Sequence, residues 1–134
     1  MQRRILEKLN SDKLKKYFEE IGLNTSLVFG SILTDEFNET SDVDIAVLGN
    51  EKLNISMILD LELYLEGLLE RDIDVIDLNS ENLDIFIKIN ILNSSKIVYS
   101  RDNGVMLNQL IDNVEWYYRE NEHYFECRKR DLLC

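Results

Sequence analysis

The chemistry in this chain is concentrated in carboxylates set on apolar runs. Asp42 and Asp44 open the run Asp42-Val43-Asp44-Ile45-Ala46-Val47, and ten residues separate them from Gly30-Ser31, which closes the run Ser26-Leu27-Val28-Phe29. Successive side chains of a strand point to opposite faces, so Val43, Ile45 and Val47 share one face and Asp42, Asp44 and Ala46 the other. At a rise of about 3.3 Å per residue the two aspartate Cα atoms stand roughly 7 Å apart. Carboxylates leaning together from that spacing can share one cation, or a pair about 4 Å apart. Hard oxygen ligands suit Mg²⁺ or Mn²⁺ rather than zinc.

A second run, Asp72-Ile73-Asp74-Val75-Ile76-Asp77-Leu78, repeats the pattern. Asp72, Asp74 and Ile76 fall on one face; Ile73, Val75 and Asp77 fall on the other. If this strand neighbours 42–48, Asp74 joins Asp42 and Asp44 in one cluster. Asp72 and Asp77 are weaker candidates, and Asp77 should face away. Three facing carboxylates repel one another, and a divalent cation would neutralise them. A single Asp-x-Asp in so acidic a chain would ordinarily be solvated strand-end chemistry. Two such pairs on apolar strands, with Gly-Ser beside them, point to a site. Gly30 taken alone is a tight turn after a strand. It also lets backbone approach a phosphate closely, free amides at a helix start bind anions, and the Ser31 hydroxyl adds a hydrogen bond.

These residues need strands to hold them, and helical segments alternate with strands along the chain. Residues 3–21 read as helix, broken near Asn10-Ser11, with Leu14, Phe18 and Ile21 on one face and Gly22 as the stop. A strand over 26–29 follows, then a helical turn over 31–37 and a loop over 38–41. A strand over 42–48 leads to a helix over 54–70 that carries Ile58, Leu61, Leu65 and Leu68. The third strand is 73–78. Ser80 is read as the cap of a helix over 81–92. A short strand over 96–99 and a long helix over about 103–130 close the chain. Alternating strands and helices indicate an α/β (α+β) sandwich. The link between the first two strands is too short for a crossover helix, so the sheet is expected to be mixed.

The chain has 134 residues, 45% hydrophobic and 31% charged, which reads as one soluble domain over 1–134. A formal net charge of −11 repels nucleic acid and anionic membranes. The N-terminal stretch MQRRILEKLNSDKLKK has no long apolar region, so no signal peptide is read there, and no stretch approaches bilayer-spanning length. Cys127 and Cys134 read as free thiols in a reducing, cytoplasmic setting. His123, the single histidine, reads as a surface helix residue, and no zinc pattern exists.

Gly30-Ser31, ten residues, Asp42-x-Asp44 and a later aspartate on an apolar strand resemble the DNA polymerase beta superfamily of nucleotidyltransferases. In length and motif the chain is most similar to its minimal nucleotidyltransferase (MNT) members, over about residues 14–100. The resemblance implies a nucleotidyltransferase fold with a mixed sheet flanked by helices and a long C-terminal helix. It also implies Mg²⁺-dependent nucleotidyl transfer, with two ions and ATP as substrate. By matching positions, Gly30 and Ser31 would hold the triphosphate. Asp42, Asp44 and Asp74 would bind metal and serve catalysis, Asp74 helping to activate the acceptor hydroxyl. Family members often carry Arg-Gly a few residues after Gly-Ser; here Thr34 and Asp35 stand there, which should weaken triphosphate binding. MNT proteins act as antitoxins that transfer AMP to a tyrosine of HEPN-type ribonuclease toxins. The resemblance therefore implies a toxin partner, a hetero-oligomer, and no direct nucleic-acid or membrane contact. Two alternatives stand beside it: an antitoxin that is catalytically weak and neutralises by binding alone, and a small-molecule, aminoglycoside-type nucleotidyltransferase. On the last helix, Leu107, Leu110, Ile111, Val114 and Tyr117 form an apolar stripe. Trp116, Tyr118, Tyr124 and Phe125 lie on other faces among Arg119, Arg128, Lys129 and Arg130, a composition that suits either partner contact or packing.

Overall fold

A computed structural model describes residues 2–124, 126 and 127. Helices α1 (Gln2–Leu9) and α2 (Asp12–Glu20) lead into strand β1 (Thr25–Phe29), and a 3-10 turn (Gly30–Leu33) follows. Then come β2 (Val43–Leu48), α3 (Ile55–Leu69), β3 (Ile73–Asp77), α4 (Ile85–Ser94), β4 (Lys96–Ser100) and α5 (Val105–Glu120). The break expected at Asn10-Ser11 is real: the Ser11 hydroxyl accepts the Leu14 N–H at 3.3 Å and starts a new helix. Gly22, at φ +82, ends α2 in the left-handed conformation that glycine adopts without a Cβ penalty. Asn54 caps α3 by accepting from Met57 N–H at 2.9 Å.

The four strands lie in the order β3-β2-β1-β4. β1 runs antiparallel to both β2 and β4, while β2 and β3 are parallel, joined through α3. The sheet is therefore mixed, and each face buries a distinct apolar set. Val28, Ile45, Val47, Ile73, Val75 and Val98 pack under α1, α2 and α3 with Leu9, Leu14, Phe18, Leu61 and Leu65. Leu27, Ala46 and Leu48 on the other face meet Ile91 of α4 and Leu107 of α5. The parity is what the alternation of 43–48 requires.

Two boundaries away from the Gly-Ser turn depart from the sequence reading. Ser80 does not cap a helix over 81–92. Its N–H donates to the Asp77 carbonyl at 3.0 Å and its carbonyl accepts from Leu83 N–H at 3.3 Å, a turn that uses residues 80–83. Asp84 caps α4 instead, accepting from Phe86 N–H at 2.8 Å. The last helix is not continuous from 103 to 130. It starts at Val105 after Gly104 and ends at Glu120; Asn121 is a turn, and residues 122–124, 126 and 127 are helical beyond it. His123 is exposed on that last segment, as expected. Phe125, Arg128, Lys129, Arg130 and Cys134 lie outside the described residues. Of the α5 stripe, Leu107 and Val114 are buried, Leu110 and Ile111 are half-buried, and Tyr117 is exposed. Among the described residues no helix is long and apolar enough to cross a membrane.

Candidate active site

The antiparallel pairing of β1 with β2 brings the C-terminal end of β1 beside the N-terminal ends of β2 and β3. Phe29 stands opposite Asp44, and Asp44 stands opposite Asp74 in the parallel pair. Phe29, Asp44 and Asp74 thus form one row across three strands, on the face that carries Ala46 and Ile76. Gly30 and Ser31 continue from Phe29 at one end of that row. Asp42 lies two residues before Asp44, just ahead of β2, and its charge reaches Asp44. The row stands at the end of the sheet. Gly30, Asp42 and Asp74 are exposed, and Ser31 and Asp44 are half-buried.

Gly30 has a structural reason to be glycine. Its φ is +83, and a Cβ built there would run into the Asp44 carboxylate, with Cγ at 3.3 Å. The Gly-Ser turn is held from outside: the Gln2 side-chain amide donates to the carbonyls of Ile32 and Thr34. It is closed from inside by Thr34, whose N–H and hydroxyl both donate to the Ser31 carbonyl, at 2.9 and 2.8 Å. The turn stops at Leu33, short of the 31–37 expected, because Thr34 is extended and its hydroxyl also accepts the Glu36 N–H at 3.2 Å. Asp35 is exposed.

Burial pushes the Asp44 carboxyl above its ordinary range, and the negative charges of Asp74 and then Asp42 push it further the same way. Asp74 and Asp42 are therefore close enough to act on Asp44. Their donors are all hard carboxylate oxygens, and their mutual repulsion is what a divalent cation would relieve. On donor chemistry and electrostatics these residues fit Mg²⁺. Among the described residues no three acidic, imidazole or thiol groups are already drawn tightly enough to enclose an ion, so binding would require the side chains to turn inward.

Asp72 is exposed on the loop before β3, and its carbonyl accepts Val43 N–H at 3.0 Å. Asp77 faces the core side, as its parity requires. It is 4% exposed, and its two oxygens accept Leu53 N–H at 2.7 Å and Asn79 N–H at 2.9 Å. That carboxylate ties the start of α3's approach to the end of β3. Grooves of about 680 and 550 Å³ lie along α4 and α5, and none of the candidate site residues lines either.

Arg71 escaped the sequence reading. Its Nη1 donates to the carbonyls of Asn38 at 2.9 Å and Ser41 at 2.7 Å, and its guanidinium lies 4.4 Å from the centre of the Phe37 ring. The available signal was Phe37, a lone aromatic in a polar loop that needed a cover.

The family described as "Polymerase beta, Nucleotidyltransferase" matches residues 12–104. MJ0126 and MJ1217 of Methanocaldococcus jannaschii, two proteins that carry the name protein adenylyltransferase, are each 36% identical to this chain, over 66 and 62 residues. Those alignments span 49% and 46% of this chain and 67% and 63% of the relatives. Among solved structures, a toxin-antitoxin crystallised with AMP-PNP superposes with a TM-score of 0.67 at 20% identity, covering 92% of this chain and 98% of that one. The complex of a tri-AMPylated HEPN toxin with its MNT antitoxin, from Shewanella oneidensis, superposes with a TM-score of 0.62 at 21% identity over the full length of both chains. These structural likenesses establish the fold.

Proposed function

This chain belongs to the polymerase beta nucleotidyltransferase family, and from that premise we propose that it is an MNT antitoxin. In this reading it transfers AMP from ATP to a tyrosine hydroxyl of a partner HEPN-type ribonuclease toxin, with Mg²⁺ bound by Asp42, Asp44 and Asp74. The observation that carries the reading is the row in which Asp44 and Asp74 stand in register beside the Gly30-Ser31 turn. When bound, the cation would offset triphosphate charge and polarise the α-phosphate. The protein's own residues do the rest. Gly30 leaves room for the phosphates to lie against the backbone, and the Ser31 hydroxyl donates to a phosphate oxygen. The acceptor tyrosine oxygen forms a bond to the α-phosphorus while the bond to the β-bridging oxygen breaks and pyrophosphate leaves. Asp74, exposed and at the sheet edge, takes the acceptor's proton. The complex with the toxin is a hetero-oligomer in the cytoplasm, and the chain acts as a single nucleotidyltransferase domain over 1–134.

A second reading has its own observation. Thr34 and Asp35 stand where the family often carries Arg-Gly; Thr34 is occupied in closing the turn, and Asp35 adds an exposed negative charge. A weakened site would leave an antitoxin that neutralises by binding alone. One experiment separates the readings. The protein is incubated with its co-purifying partner, ATP and Mg²⁺, and the partner is weighed by mass spectrometry. A gain of AMP that disappears in Asp42→Asn is expected. Tight binding with no added mass favours the second reading. Labelling of an aminoglycoside with no partner bound refutes both.

A further inference from the structure

We infer that Arg71 is the positioning residue for Asp42: with Asp72 it fixes both peptide units that flank the aspartate and so sets where its carboxylate stands. The inference rests on the reading of Asp42, Asp44 and Asp74 as cation ligands. Asp42 lies outside the regular strand, at the end of a loop that begins at Thr34. A ligand on such a loop is held only as well as its backbone is held. The Ser41 carbonyl belongs to the peptide that precedes Asp42, and Arg71 Nη1 donates to it at 2.7 Å. Val43 N–H belongs to the peptide that follows Asp42, and it donates to the Asp72 carbonyl at 3.0 Å. With both planes fixed, rotation about the Asp42 backbone is fixed, and only its side-chain torsions remain free.

The same guanidinium closes the far side of the turn. It donates to the Asn38 carbonyl at 2.9 Å, so one nitrogen spans residues 38 and 41. The turn has its own bonds: Ser41 N–H donates to the Asn38 carbonyl at 3.2 Å, and Asn38 N–H donates to the Ser41 hydroxyl at 3.1 Å. Phe37, buried in the core with α1, α2 and α3, carries the guanidinium on its ring at 4.4 Å. A stacked, planar, permanently charged group on an anchored ring is a fixed donor; a lysine ammonium on a flexible stem is not. Arg71 follows Glu70, whose left-handed φ of 56 ends α3, and it precedes β3, which carries Asp74. The segment 71–74 therefore orients one carboxylate and supplies another.

The test uses Mn²⁺ alone as probe, with free Mn²⁺ read by electron paramagnetic resonance on the full chain, and ¹⁵N relaxation at the Asp42 amide. Arg71→Ala is expected to weaken Mn²⁺ binding about 10- to 100-fold, the loss seen when groups that orient a metal ligand are removed. It should raise the mobility of the Asp42 amide and leave that of Asp44 unchanged. A merely stabilising role would lower the unfolding midpoint without moving either readout well below it. Should Arg71→Ala fail to fold, Arg71→Lys keeps charge and length and is expected to show the same two changes, smaller in size. Wild-type affinity and an ordered Asp42 amide in the folded variants would overturn the inference while leaving the metal reading intact. Wild-type protein that binds Mn²⁺ no better than Asp44→Asn would overturn both.

Discussion

Replacing Gly30 with alanine tests whether the glycine is there for its backbone or for the carboxylate beside it. Gly22 and Gly30 hold nearly the same left-handed conformation, φ +82 and +83. A Cβ at Gly22 meets nothing within 4 Å, whereas at Gly30 it meets the Asp44 carboxylate. Gly22→Ala is therefore a matched control for the backbone cost. An L-residue in this region costs roughly 1–2 kcal/mol. Alanine returns about 0.4–1 kcal/mol by stiffening the unfolded chain. Gly22→Ala should thus destabilise by about 1 kcal/mol. Gly30→Ala carries the same cost plus that of turning Asp44 out of its rotamer, about 0.5–1.5 kcal/mol.

The excess is small because a short side chain can turn away, yet that turn takes Asp44 out of the row with Asp74. Urea unfolding should show Gly30→Ala less stable than Gly22→Ala by that margin, with equal m-values. Mn²⁺ affinity should fall at least about tenfold in Gly30→Ala and stay at the wild-type level in Gly22→Ala. A double-mutant cycle isolates the contact. In an Asp44→Ala background, Gly30→Ala should cost no more than Gly22→Ala, a coupling of about 0.5–1.5 kcal/mol. Equal stabilities for the two glycine variants, or an excess that survives removal of the Asp44 carboxylate, would refute the close approach as the reason for Gly30.

The raised Asp44 carboxyl gives a pH dependence of definite sign. Burial, then Asp74, then Asp42 hold its folded pKa above the unfolded value. The metal-free protein therefore binds a proton more tightly than the unfolded chain, and its stabilising contribution is lost as pH rises through the raised value. Asp44→Asn should flatten that part of the metal-free stability curve, measured by urea unfolding across pH, and Mn²⁺ affinity should fall on acidification before ordinary carboxylates protonate. Asp77→Ala, by contrast, should destabilise by about 2–4 kcal/mol, since it strips two half-buried N–H groups of a charged acceptor. Below the unfolding transition its Mn²⁺ affinity should match wild type, as isothermal titration would show.

The two aspartates of β3 show what a sequence can convey about this fold and where it stops. Asp74 and Asp77 are three residues apart on one strand, so parity sends them to opposite faces, and alternation of Ile73 and Val75 says which face is core. The mixed sheet was legible for a similar reason, because the short link over 30–41, taken up by a turn and a loop, leaves no room for a crossover helix. The misplaced start of α4 was a competition between two good caps. Ser80 lost to Asp84 because its backbone groups serve the turn that ends β3, a tertiary demand invisible in local propensity. Arg71 was hidden by sequence distance: its partners lie 30 and 33 residues away. Charged residues read as solvated surface unless something in the sequence asks for them. Phe37 did ask, and a buried aromatic in a polar loop is a request for a flat cationic neighbour as much as for an apolar one. Two of the three carboxylates that periodicity identified thus depend on contacts that periodicity does not encode. Gly30 gives Asp44 its space, and Arg71 and Asp72 give Asp42 its direction. Spacing names the candidate ligands, and non-local contacts decide whether they converge.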